Sequence, residues 1–126
     1  MKEVNTNTIN IQVLALLGDA VLALYIREEL LKKGINNANK LQDTSIKYVS
    51  AKGEVAILNK LIEDNILTEK ELDIVKRGRN NKKENHPKNT DIITYKLSTG
   101  FEALLGELYL RDKERLKEIL NRIEVE

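Results

Sequence analysis

Two acidic residues stand out for their surroundings. Asp19 lies in LALLGDAVLALYI, residues 14–26, where every other residue is apolar, aromatic or glycine. Glu102 lies in Phe101-Glu102-Ala103-Leu104-Leu105-Gly106. A helix that is apolar on every side belongs inside a core, and an unpaired carboxylate there is costly to desolvate. Small residues stand near both acids, Gly18 and Ala20 beside the first, Gly100 and Ala103 around the second. They leave room for another helix or a ligand. If the two helices pack together, two carboxylates face each other in a poorly hydrated cleft. Like charges so placed raise one pKa, unless a cation fills the gap. Mg²⁺ takes such oxygen ligands while keeping several waters, and it can activate a water and polarise a phosphoryl oxygen. The alternative is that Asp19 and Glu102 are unrelated, each satisfied by a core hydrogen bond or by a Lys or Arg.

A second group of residues has a different chemistry. Residues 76–88 hold six cations, Lys76, Arg77, Arg79, Lys82, Lys83 and Lys88, against Glu84 alone. That segment carries +5 in a chain whose net charge is +1, so the remainder carries −4. One basic patch on a mildly acidic body is an electrostatic footprint for a polyanion; a solvated surface loop has the same composition. Arg77 and Arg79 suit bidentate phosphate contacts, the lysines supply screened attraction, and Asn80 adds a neutral donor. His86 reads as an exposed loop residue or phosphate contact rather than a general base.

The elements that must position these groups are helical. A first helix is expected from near Asn10 to Lys33, closed by Gly34, with 1–10 as a flexible arm. Leu41, Ile46, Tyr48 and Val49, then Val55, Ile57, Leu58, Leu61 and Ile62, have helical spacing and predict two helices, or one bent one, meeting near Ser50 to Gly53. Thr68 with Glu71 forms a capping box opening a short helix that ends near Gly78. Residues 80–90 lack apolar side chains and contain Pro87, and are expected as a loop. Asp91 leads a long helix carrying Phe101, Leu104, Leu105 and Leu108, and Asp112 caps a last one. No stretch reads as a convincing strand, so the fold class is all-α.

Bulk composition agrees. A chain of 126 residues suits a single domain, 1–126, with a real core. At 41% apolar and 33% charged it reads as soluble and globular. No apolar run is long enough for a bilayer span, and no secretory leader is expected. The lack of cysteine excludes disulfides and thiolate metal sites. A cytoplasmic protein without membrane partners is expected.

Taken in order, Leu17-Gly18-Asp19-Ala20-Val21-Leu22, Tyr48-Val49-Ser50-Ala51-Lys52 and Gly100-Phe101-Glu102-Ala103-Leu104-Leu105-Gly106 resemble the catalytic domain of ribonuclease III over about residues 11 to 112. The family's upstream glutamates fall on Gln12 and Ala15, and its aspartate three residues before the second-helix glutamate falls on Thr99. Acids of the usual metal site are therefore missing at positions 15 and 99, while Asp19 and Glu102 remain. The chain ends about fourteen residues past Asp112, so a catalytic domain without a double-stranded RNA-binding domain is expected. That combination is similar to the Mini-III ribonucleases, and the basic loop, taken as 77–90, resembles theirs.

The resemblance implies a ribonuclease III-like helical fold in a symmetric homodimer. It implies Mg²⁺-dependent endonucleolytic cleavage of double-stranded RNA to 5′-phosphate and 3′-hydroxyl ends, and maturation of 23S ribosomal RNA precursor, a setting in which a ribosomal protein can act as helper. Asp19 and Glu102 take the catalytic and metal-binding roles. Lys76, Arg77, Arg79, Asn80, Lys82, Lys83, His86 and Lys88 take the RNA-binding role. The acids lost at positions 15 and 99 motivate an alternative, a catalytically weak or inactive ribonuclease III-like RNA-binding or ribosome-assembly factor.

Overall fold

Each helix begins where a side chain replaces a missing backbone partner. A computed structural model describes residues 4–81 and 91–126. Six α-helices lie among them: α1 (Ile11–Lys32), α2 (Ala38–Val49), α3 (Ala51–Glu63), α4 (Glu69–Arg79), α5 (Ile92–Arg111) and α6 (Lys113–Leu120). The described residues contain no strand, as the all-α expectation required. Asn10 accepts from the Gln12 amide at 2.7 Å, Ser50 from Gly53 at 3.1 Å and Asp91 from Thr94 at 2.9 Å. Asn37 and Asp112 do the same for α2 and α6. The capping box is formed in full: Thr68 accepts from the Glu71 amide, and the Thr68 amide donates to Glu71 Oε1. At the other end of α1, Gly34 adopts φ +99°. This left-handed geometry lets the Ile35 amide reach the Leu30 carbonyl and the Gly34 amide reach that of Leu31.

The centre of the molecule is α5, which packs against α1, α3, α4 and α6. Its Phe101, Leu104, Leu105 and Leu108 are wholly buried. They meet Leu14, Leu22, Ile26 and Leu30 of α1 and Leu58 of α3 in one core. Gly18 and Gly106 set the spacing of α1 and α5. A Cβ on Gly18 would overlap the Glu102 carbonyl, and one on Gly106 would overlap that of Leu14. The two backbones therefore touch within one turn of both Asp19 and Glu102.

Two expectations need correction. The first helix is not core on every side: Val13, Leu16, Leu24 and Leu31 are exposed along the side opposite Leu14, Leu22, Ile26 and Leu30. Apolar composition all round cannot separate a core face from an uncovered one. Residues 4–10, expected in a flexible arm, include a 3-10 turn, Thr6–Thr8. Thr6 in it is buried and donates to Glu107 Oε2 at 3.0 Å.

Candidate active site

Three helices deliver three carboxylates to one place. Asp19 comes from α1, Glu102 from α5 and Glu54 from α3, and each offers an oxygen within 4.8 Å of the other two. The geometry joins the two acids singled out in the sequence and adds a third that was not. Their exposures reverse the sequence reading. Asp19, expected as the buried acid, is exposed at the rim, and Glu102 is half-buried. Glu54 is the buried one, at 1% exposure. Burial first, then the neighbouring Glu102 and Asp19, push its carboxyl up to about 11. It also shares a hydrogen bond with Glu102, which requires a proton on one of the two acids.

A signal for Glu54 existed. It lies four residues before Leu58 and seven before Leu61, on the buried stripe of α3. Position hid it, since an acid in the first turn of a helix is also what the helix dipole favours.

Asp19 and Glu102 open into a cleft of about 250 Å³ lined by Gln12, Ala15, Leu16, Tyr95 and Thr99. The positions that lack the family's acids thus face the same space. Ala15 has no ligating atom, and Thr99 offers only an uncharged hydroxyl, which donates its proton to the Tyr95 carbonyl at 3.0 Å. The three carboxylates fit a hard divalent cation. A cation binding oxygens at about 2.0–2.6 Å spans ligand pairs up to about 4–5 Å apart, which is the spread seen. No Lys or Arg among the described residues forms an ion pair with Asp19 or Glu54, so without a bound cation only the proton that Glu54 and Glu102 share relieves the repulsion.

The basic residues begin beside this cleft. Lys76, Arg77, Arg79 and Asn80 are exposed at the C-terminal end of α4, and Arg79 Nε donates to Asn80 Oδ1 at 3.2 Å. Gly78 meets the Gly100 backbone of α5 so closely that a Cβ would collide with it. Gly78 and Asn81 share a small cavity with Tyr95, Lys96 and Thr99, and Tyr95 and Thr99 also line the acid cleft. Lys82, Lys83, His86 and Lys88 lie outside the described residues. No described helix is long and apolar enough to cross a membrane.

Known proteins resemble the chain over nearly its whole length. A family model, the ribonuclease III domain, matches residues 12–113. Mini-ribonuclease 3 of Streptococcus pneumoniae is 44% identical over 119 residues, covering 94% of this chain and 93% of the relative. Mini-ribonuclease 3 of Staphylococcus aureus is 47% identical over 111 residues, 87% of this chain and 83% of the relative. A crystal structure of a Fusobacterium nucleatum protein superimposes with a TM-score of 0.78 at 34% identity, covering 90% of both chains.

Proposed function

Because the chain belongs to the ribonuclease III family, among its Mini-ribonuclease 3 members, and is an endoribonuclease, we propose that it hydrolyses double-stranded RNA at the α1–α5 cleft, with Asp19 and Glu102 holding Mg²⁺. The observation that carries this reading is the convergence of the carboxylates beside the basic end of α4. Carboxylates alone repel a phosphodiester, so the cleft needs a cation and a positively charged approach. Bound there, Mg²⁺ supplies Lewis-acid polarisation of the phosphodiester and acidifies a water.

The chain's own residues do the rest. Asp19 at the rim and Glu102 deeper in the cleft fix the cation's position from two rigid helices whose spacing is set by Gly18 and Gly106. Arg77 and Arg79 bind duplex phosphates as bidentate donors. Lys76, Lys82, Lys83 and Lys88 add salt-sensitive attraction, and Asn80 and His86 add donors. Duplex RNA is recognised largely by shape and by phosphate and 2′-hydroxyl contacts, which this set supplies without base readout. The products carry 5′-phosphate and 3′-hydroxyl ends, and the natural substrate is a 23S ribosomal RNA precursor processed in the cytoplasm.

Cleavage of a duplex RNA with Mg²⁺, and with EDTA in its place, tests the assignment. Asp19→Asn and Glu102→Gln should each lower single-turnover cleavage by about a hundredfold or more, the scale of losing a group that stabilises developing charge. Undiminished cleavage in either variant refutes it. The missing acids at positions 15 and 99 favour one other reading, an inactive RNA-binding factor. Its mark would be retained duplex binding without turnover in the unmodified protein.

A further inference from the structure

We propose that Glu54 is a third metal ligand of this site, a carboxylate delivered from α3 in place of the acids absent at positions 15 and 99. The proposal rests on the reading of Asp19 and Glu102 as metal ligands and extends it.

Comparison with the other buried acids carries the argument. Three glutamates are buried among the described residues: Glu54, Glu71 and Glu107. Glu71 accepts two hydrogen bonds from the Arg115 guanidinium, at 2.7 and 2.8 Å. Glu107 accepts from Arg111 Nε and from the Thr6 hydroxyl. Each of these has a cation of its own. Glu54 has none; its neighbours are two more acids. Its Oε2 is buried without a hydrogen-bond partner, as is Glu107 Oε1, so the missing cation is what sets Glu54 apart. It does not cap its helix, since Ser50 does that. Buried carboxylates are paired or bind metals, and Glu54 lies within metal-bridging distance of Asp19 and Glu102.

Supply and demand in the cleft agree with this. The α1 and α5 positions that lack acids, Ala15 and Thr99, offer respectively no oxygen and an uncharged hydroxyl whose proton goes to the Tyr95 carbonyl, so neither supplies negative charge. Two carboxylates with waters can hold Mg²⁺, and a buried third from α3, within 4.8 Å of both, adds charge that the α1 and α5 positions do not supply. A cation so held ties α3 to α1 and α5, so its binding strengthens the packing of all three helices and not only the rim.

The test measures Mn²⁺ affinity by electron paramagnetic resonance and Mg²⁺ affinity by calorimetry, without RNA, for the unmodified protein, Asp19→Asn, Glu54→Gln and Glu54→Asp. Glu54→Gln keeps the shape and a hydrogen-bond donor towards Glu102 but cannot supply charge. It should lose affinity by at least the roughly tenfold that removal of an outer-shell partner already costs, and Glu54→Asp should retain more of it. Melting temperatures separate this from misfolding: metal-free Glu54→Gln should melt at or above the unmodified protein, and the rise on adding Mg²⁺ should shrink. Full affinity in Glu54→Gln alongside a loss in Asp19→Asn overturns the role of Glu54 alone, leaving it as a residue that positions Glu102. Full affinity in Asp19→Asn overturns the metal reading of the cleft and this proposal with it.

Discussion

Among single residues, the buried glutamates divide by partner. Glu71 is the clearest case of a structural one. Burial acts to raise its carboxyl, but the Arg115 guanidinium and the Thr68 amide outweigh burial, so its pKa lies below the ordinary 4.5. Arg115 also donates to the Ile66 carbonyl at 2.7 Å, joining α4, α6 and the turn between α3 and α4. A depressed carboxylate pKa gives stability that is present above the ordinary value and lost as pH falls through the folded-state value. The acid limb of a urea-unfolding series should therefore steepen below about pH 4.5. Arg115→Met should cost about 3–5 kcal/mol at neutral pH, the scale for stranding one member of a buried pair. It should also remove or reverse that acid dependence, because a buried Glu71 without its guanidinium prefers its proton. Equal urea midpoints for the two proteins at pH 7 would contradict this.

Helix by helix, the cleft depends on how near α1 comes to α5. The glycines that flank the acids in sequence, Gly18 beside Asp19 and Gly106 after Glu102, are the points of backbone contact. Gly106→Ala should force the helices apart and cost about 1–3 kcal/mol, as overpacking does. It should also weaken metal binding although no ligand is altered, because the carboxylates ride on the two displaced helices. Gly34→Ala is the matched control. Nothing lies within 4 Å of its added Cβ, and only its φ of +99° is strained, so it should lower the melting temperature and leave metal affinity unchanged. Calorimetry on both variants reads the difference.

In the whole molecule, α1 leaves a stripe uncovered. Val13, Leu16, Leu24 and Leu31 are 55, 73, 68 and 53% exposed, and Leu16 also borders the acid cleft. A two-fold homodimer through this stripe is what we expect. It would set two cleavage sites about a symmetry axis, as a duplex with two strands requires. Sedimentation at micromolar concentration should give a dimer, and Leu24→Asp should give a folded monomer. In a protein that is already monomeric, so exposed a substitution changes stability by no more than about 0.5 kcal/mol and leaves the sedimentation coefficient alone.

Local signals fixed a great deal before any packing was known. The caps at Asn10, Thr68, Asp91 and Asp112 and the glycine stop at Gly34 are short-range hydrogen-bond chemistry, so those helix boundaries could be read directly; the break at Ser50, where one bent helix stood as an alternative, needed the structure. The motifs around Asp19 and Glu102 were legible because unusual residues sit in uniform apolar surroundings. Which side of α1 faces the core was not legible, because Leu16 and Leu22 are the same residue in the same kind of neighbourhood. Nor was Glu54, an ordinary first-turn acid in one dimension. Its place beside the other two acids arises only when α3 packs on α5 and brings position 54 to positions 19 and 102. Periodicity places a side chain on a face of its own helix; only the crossing of three helices decides what that face meets.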